Sequence, residues 1–193
     1  MIKRAGNSHA LCVVILCLAV VPLSCSQGTS VAGSFVGPTE GSESFVAIVT
    51  NGDTALGYVC DGVATAEWFS GSAARDSIDL TSAGSVGLVA ERGTGDTLDG
   101  TVTAGDGTES SFSAARVDGD GSEGGLCRGI LQVDGVTYTG GWIVLPDGRQ
   151  RGAVIGDDGS QRFDVPDIDP DTMVVDVPGL GTFKASAVVP GDL

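Results

Sequence analysis

The stretch GGWIVLPDGRQRGAVI, Gly140 to Ile155, decides the fold, because it places two short apolar runs around the turn Pro146-Asp147-Gly148. Proline presets φ for the first turn position, aspartate suits the second, and glycine accepts the left-handed conformation that closes a three-residue hairpin loop. The stretch is therefore predicted to be an antiparallel β-hairpin.

The register of this hairpin follows from its turn and assigns each side chain to a face. Trp142 lies opposite Gly152, and Trp142 shares one face with Val144. Arg149 and Arg151 share the other face, because side chains alternate along a strand. A tryptophan opposite a strand glycine covers the backbone that the missing side chain leaves bare, so Trp142 is expected to anchor the core.

The same pattern of a short apolar run followed by a turn recurs along the chain, and Asp-Gly or Asn-Gly dipeptides separate many of the runs. These dipeptides are typical of tight hairpin turns. The predicted strands are Glu43–Thr50, Thr54–Cys60, Ala66–Ser70, Ser77–Thr81, Ser85–Glu91, Leu98–Thr103, Ser110–Val117, Leu126–Val133, Val136–Leu145 and Arg149–Ile155.

Consecutive hairpins of this kind predict an all-β protein, an antiparallel meander with one buried and one wet face. Such a meander closes into an up-and-down barrel or folds into a β-sandwich to avoid a long open edge. The barrel is favoured because hairpins rather than long crossovers connect the strands. We expect a single β domain over residues 34–193.

The tail differs from the rest of the chain. Residues 162–172 contain two prolines and several aspartates, which is typical of an exposed connection rather than a central strand. Residues 173–190 predict a terminal hairpin, with strands Met173–Val177 and Thr182–Val189, that completes the barrel or lies across one of its ends.

The N-terminus has the composition of a secretory signal over residues 1–24, with Lys3 and Arg4 before an apolar run that is too short to span a membrane. The run ends in Val-Pro-Leu-Ser-Cys, which resembles a bacterial lipoprotein junction, although Pro22 departs from the branched apolar residue of that pattern. The resemblance implies that Cys25 is lipidated and becomes the mature N-terminus. Residues 25–33 predict a flexible tether, because residues 26–33 are rich in Ser, Gly and Thr. The alternative is cleavage after Ser26 or Gly28 and release of a soluble protein.

The cysteines fit an exported protein. Once the leader is removed and Cys25 is lipidated, Cys60 and Cys127 remain. An exported pair normally oxidises, so a Cys60–Cys127 disulfide is predicted.

Composition excludes several classes of function. The formal net charge of −15 disfavours nucleic acid, whose phosphates need a Lys- and Arg-rich surface. The single histidine, His9, lies in the leader, so the mature chain has no imidazole base or zinc ligand of that type. We expect no cofactor and no enzyme activity. A further alternative is a carboxylate-dependent hydrolase, in which Asp61 and Glu67 supply the acids and Trp68 stacks on a sugar.

Two acidic segments are weak candidates for calcium, because carboxylate oxygens are its preferred ligands. Neither segment has the glycine and glutamate positions of an EF-hand loop, so plain acidic loops are the simpler interpretation. The first segment contains Asp118, Asp120, Ser122 and Glu123, and the second contains Asp164, Asp167, Asp169 and Asp171.

Arg149 and Arg151 form a positive patch on an acidic protein. Two arginines on one strand face can clamp the carboxylate or phosphate of a ligand. The simpler interpretation is that they pair with the protein's own acids, most directly the tail from Asp164 to Asp171.

Three motifs resemble a recurring pattern in uncharacterised secreted proteins of actinobacteria: the segments Tyr58–Gly62, Glu67–Gly71, and Gly141–Leu145 continuing into Gln150–Val154. The resemblance covers roughly residues 43–155. It implies a compact exported β module and carries over no catalytic residue.

Two functions remain open. The first is a non-enzymatic interaction or surface module, held on the outer side of the cell membrane by a lipid on Cys25 and acting on an envelope protein. The second is a carrier of a small hydrophobic ligand or lipid, in which the barrel interior around Tyr58, Trp68 and Trp142 is a pocket.

Overall fold

The computed structural model describes residues 30–119, 123–157 and 162–193, so the leader, Cys25, Asp120 and Ser122 lie outside the described residues. The described residues form strands and one short 3₁₀ helix, Pro190–Asp192. The strands are β1 Gly33–Pro38, β2 Phe45–Thr50, β3 Thr54–Cys60, β4 Ala66–Ala74, β5 Ser77–Ser82, β6 Gly87–Arg92, β7 Thr97–Thr103, β8 Glu109–Val117, β9 Gly125–Val133, β10 Val136–Val144, β11 Gln150–Gly156, β12 Arg162–Asp164, β13 Val174–Val177 and β14 Gly181–Ala187.

Strands β1 to β8 form a closed antiparallel barrel in meander order, which confirms the predicted fold class. Closure comes from β1, whose residues Ser34 to Val36 pair with Val117 to Ala115 of β8. Strand β1 was not predicted, because the first apolar run recognised from the sequence begins at Glu43, although residues 34–38 lie within the predicted domain. The ten predicted strands correspond to β2 to β11.

Only the first eight strands form the barrel. Strands β9 to β14 form a six-stranded sheet in the order β12-β11-β10-β9-β14-β13, which we call the second sheet. Once β1 has paired with β8, the barrel has no free edge on which β9 can add. The later strands therefore pair with one another and pack on the outside of the barrel.

The barrel interior is filled by its own side chains. Eight strands leave room for packed side chains with little space to spare, and the alternate residues of the strands supply Phe35, Ile48, Phe69, Leu80 and Leu98, all at most 1 % exposed. These residues belong to one continuous apolar cluster.

A second apolar cluster joins the outer face of the barrel to the second sheet, and we call this contact the seam. Every residue of β2 is buried, because one of its faces lines the barrel interior and the other faces the second sheet. The seam packs Phe45, Ala47 and Tyr58 of the barrel against Leu126 and Ile143 of the second sheet.

The hairpin from Gly140 to Ile155 has the predicted register. Val144 pairs with Gln150, Ile143 with Arg151 and Trp142 with Gly152. Trp142 is fully buried, and a methyl group placed on Gly152 would collide with its indole ring, which confirms that the tryptophan covers this glycine.

Trp142 belongs to a third apolar cluster, on the face of the second sheet that points away from the barrel. The acidic tail crosses this face: the Trp142 indole N–H donates to the carbonyl of Pro166 at 3.2 Å, and Ile168 exchanges two hydrogen bonds with the Gln150 side chain.

The terminal hairpin consists of β13 and β14, and β14 pairs with β9 at residues Ala185 to Ala187. It therefore extends the second sheet, and it neither completes the barrel nor lies across one end. Residues 162–172 are mostly an exposed connection as predicted, although β12 adds a short edge strand to β11. Within the described part of the chain, no helix has the length and apolar character needed to cross a membrane.

Candidate functional site

The two arginines predicted to bind a ligand lie on the same face of the hairpin, but both have acidic partners. Arg149 Nε lies 2.8 Å from Asp147 Oδ2, and Arg151 Nη2 lies 3.3 Å from Glu43 Oε2. Both guanidinium groups lie over the ring of Phe45, at 5.4 Å and 4.8 Å from its centroid.

The expected pairing of these arginines with the acidic tail is wrong. The tail crosses the Trp142 face of the second sheet, whereas Arg149 and Arg151 lie on the barrel-facing side. The sheet separates the two sets of charges. The arginines therefore pair with nearer acids, Asp147 and Glu43, and lie over the Phe45 ring of the seam.

The three aromatic residues expected around a ligand pocket do not surround one cavity. Tyr58 and Trp68 stack at 4.3 Å between ring centroids on the outer face of the barrel, where they pack against Gly141. Trp142 lies on the far face of the second sheet. The prediction that these three residues line a carrier pocket inside the barrel is therefore wrong. Tyr58 and Trp68 belong to the seam, and Trp142 belongs to the outer cluster.

The Tyr58 hydroxyl is buried, with Cys60 as its neighbour. Burial, and then the neighbouring Cys60, raise the pKa of Tyr58 well above its ordinary value.

The predicted disulfide is absent: Cys60 and Cys127 are both free and buried. Cys60 lies in the seam, where its sulfur accepts from the Gly62 N–H at 3.3 Å, and Cys127 lies in the outer cluster, 3.9 Å from the sulfur of Met173. The two thiols are on opposite sides of the second sheet and cannot meet. Burial raises the pKa of the Cys127 thiol to about 11, so it is not a reactive thiolate.

The calcium candidates do not assemble into a site among the described residues, where no three Cys, His, Asp or Glu side chains are placed to hold a metal ion. Asp169 Oδ1 instead accepts from the Asp171 N–H at 2.9 Å, and its carbonyl accepts from the Met173 N–H. These aspartates shape the tail as a turn, which is their usual role in loops. Asp118, Glu123 and Asp167 lie in connecting segments.

Asp61 is held by its own loop and lies 3.7 Å from Arg162 Nη2 of β12. Its Oδ1 accepts from the N–H groups of Val63, Ala64 and Thr65 at 2.7 to 2.8 Å. Partial burial by itself raises the pKa of Asp61, but these three donors outweigh it and lower the pKa. Asp61 therefore caps the turn that follows β3, which agrees with the interpretation of a charged turn.

Glu67 faces the barrel interior at the end where β3 leads into β4, because its strand partner is Val59 and its side chain alternates with Trp68. Two adjoining cavities of about 200 and 210 Å³ lie at this mouth of the barrel, and both are lined by Val59, Thr65 and Val102. Glu67 is half-buried and has no hydrogen-bond or ion-pair partner among the residues described.

A larger cavity, of about 540 Å³, lies beside the seam between β3, β9 and β14, and we call it the seam groove. Arg128 and Lys184 line it. Leu126 faces the barrel, so its alternate neighbour Arg128 has the same orientation. Lys184 lies on that face as well, because its neighbours Phe183 and Ala185 belong to the outer cluster.

The charges of the seam groove are unusual for this protein. Five of the Lys and Arg side chains in the described ranges form ion pairs, whereas Arg128, Lys184 and Arg75 have none there. The Arg128 guanidinium lies 5.2 Å from the ring centroid of the half-buried Trp68. Ile130, 58 % exposed, lies on the same wall.

Sequence reasoning missed this site, although it identified Trp68. The groove exists because β14 pairs with β9, with Ser186 opposite Arg128. No local turn signal connects strands so far apart in the chain. The sequence does contain one local signal for the groove, the alternation of side chains within β14. This alternation places Lys184 on the face opposite Phe183.

Comparison of the chain with protein-family models, with curated proteins and with solved structures found no match. The resemblance to secreted actinobacterial proteins therefore stays a prediction, and the candidate site rests on the geometry of this chain.

Replacing Asp61 by Ala is expected to lower the free energy of unfolding by about 1–2 kcal/mol at pH 7, because three backbone donors lose their acceptor. The folded-state pKa of Asp61 lies below the ordinary 3.8, so its contribution is present above that pH and is lost as the pH falls through the folded value. Urea unfolding at pH 7 and at pH 3 measures both effects.

The matched control is Asp79→Ala, which removes an exposed carboxylate of β5 that has no side-chain hydrogen bond among the described residues. We expect it to leave stability nearly unchanged. An Asp61→Ala variant as stable as this control at pH 7 would contradict the capping role.

Proposed function

We propose that the protein is an exported, non-enzymatic interaction module, anchored to the outer side of the cell membrane through Cys25. The observation that carries its binding role is the seam groove, which is lined by Arg128 and Lys184. Neither cation forms an ion pair with a described carboxylate, and the Arg128 guanidinium lies over the Trp68 ring. Unpaired cations next to an accessible aromatic ring are typical of recognition surfaces.

The start of the described chain supports an anchor close to the barrel. Val31 is 3 % exposed and packs into the barrel cluster. Six residue steps separate it from Cys25, a reach of about 21 Å at full extension. A lipid on Cys25 would therefore hold this end of the barrel near the membrane and direct the opposite mouth outward.

The state of the carboxylates favours binding over catalysis. Paired-acid hydrolysis needs one carboxyl group with a raised pKa and a second that is free to react. Asp61 has a lowered pKa and is held by three backbone donors. It is therefore a poor acid for the mechanism considered from the sequence.

Metabolic labelling with an alkyne fatty acid tests the anchor. When the full chain is expressed in a bacterium that processes lipoproteins, we expect label on the wild type and none on Cys25→Ser, which partitions into the soluble fraction. Cys12→Ser is the matched control, because this cysteine lies within the leader, and it should retain the label. A labelled Cys25→Ser, or an unlabelled wild type, would remove the anchor from the proposal.

A second candidate function is a carrier of a small polar molecule at the barrel mouth. The observation that favours it is Glu67, a half-buried carboxylate without a partner among the described residues, above an apolar floor that includes Phe69 and Val86. Barrel mouths are common ligand sites, and a buried acid favours an amine or hydroxylated ligand. Cavities of about 200 Å³ are too small for a lipid.

Native mass spectrometry of protein purified from its own envelope tests the carrier. We expect a retained mass of small-molecule size on the wild type and its loss from Glu67→Gln, which keeps the shape but removes the charge. Wild-type protein at its bare mass would exclude the carrier, as would equal retention by the variant.

A further inference from the structure

We propose that the seam groove binds a small amphiphilic anion, a molecule with one carboxylate or phosphate group on an apolar body. This inference rests on the proposed binding role of the groove and specifies the chemistry of its occupant.

The anionic group is assigned to the two cations. Because Ala185 pairs with Gly129 and Ser186 with Arg128, Lys184 and Arg128 are diagonal neighbours on the same face of the antiparallel pair. Diagonal neighbours lie about 7–8 Å apart, which is within reach of two long side chains that converge on a single anion. Arginine supplies a planar fork of donors and lysine a point charge, and together they suit a carboxylate or phosphate.

Arg128 is held in position for this task. Its guanidinium lies over the Trp68 ring, and Trp68 in turn stacks on the buried Tyr58. A cation fixed on an aromatic face loses less conformational freedom when it binds a ligand than a freely moving side chain does. No carboxylate among the described residues forms an ion pair with it as Glu43 does with Arg151.

The apolar body of the ligand is assigned to the walls of the groove. Leu56 of the barrel and Val188 beyond β14 line the groove, and Ile130 is exposed at 58 % on the same side. The volume of about 540 Å³ falls within the range of small-molecule sites.

The charge of the whole protein selects a single anionic group over a polyanion. The formal net charge of −15 repels long anionic polymers, and Asp192 lines the groove as well. One anionic group placed between Arg128 and Lys184 gains their local attraction, whereas each further group along a polymer would meet the acidic surface. A single anionic group on an apolar body satisfies both conditions.

Titration with 1-naphthoate, followed by ¹⁵N–¹H correlation spectra of the purified full chain in detergent micelles, tests this inference. We expect shifts confined to the amides of β9 and β14 and to the Trp68 indole N–H, with the Trp142 indole unchanged. Affinity should fall with added salt, because the contact is electrostatic. The neutral analogue 1-naphthalenemethanol should bind at least about tenfold more weakly than 1-naphthoate.

Two substitutions test whether Arg128 and Lys184 bind the anionic group. Arg128→Gln and Lys184→Gln should each weaken naphthoate binding by about tenfold, the loss of one charge-assisted contact. Arg75→Gln removes the same charge from an exposed loop of the barrel and should bind as the wild type does. Preserved spectra of each variant confirm folding.

The outcomes separate this inference from the anchor. Shifts spread over other surfaces, equal binding of the neutral analogue, or wild-type affinity in both groove variants would overturn the anion site. Naphthoate bound in the groove of a protein without lipid on Cys25 would leave the anion site standing and remove only the anchor.

Discussion

The structure depends on the seam, the apolar contact between the outer face of β2 and β3 and the second sheet. The side chains of β2 are apolar on both faces of the strand, so closing the barrel buries one face and leaves the other as an apolar outer surface. Both faces of β2 are buried in the structure. The second sheet covers it with Leu126, Ile143 and Ala153. The close approach is possible because Gly141 has no side chain where the Tyr58 and Trp68 rings lie. The same contact brings Arg128 over Trp68, so the packing of the fold creates the groove.

The features that were predicted correctly from the sequence are those that depend on interactions between residues close together in the chain. The Pro-Asp-Gly turn and the alternation of side chains gave the hairpin register, and Trp142 lies opposite Gly152 as expected. The all-β meander and its barrel closure followed from repeated turn dipeptides. The division into a barrel and a second sheet was not predictable, because it depends on β1 pairing with β8. No local signal reports a pairing between strands so distant in the chain.

The candidate site shows the same limit. Arg149 and Arg151 were singled out because they are close in sequence, and the structure pairs each with a carboxylate. Arg128 and Lys184 are distant in sequence and meet only through the β9–β14 pairing. The cysteines were paired by elimination, which ignores that a sheet can separate two buried thiols. In each case the missing information was which face of which sheet a residue occupies.

Hydrogen exchange and urea unfolding of Gly141→Ala, compared with Gly87→Ala, test the seam most directly. A methyl group on Gly141 would lie 2.7 to 2.8 Å from the Tyr58 and Trp68 rings, whereas one on Gly87 meets nothing within 4 Å. The account predicts a loss of about 1–3 kcal/mol for Gly141→Ala, with faster exchange in β2, β3, β9 and β10 and unchanged exchange in β6 and β7. Equal stability and exchange in the two variants would contradict it.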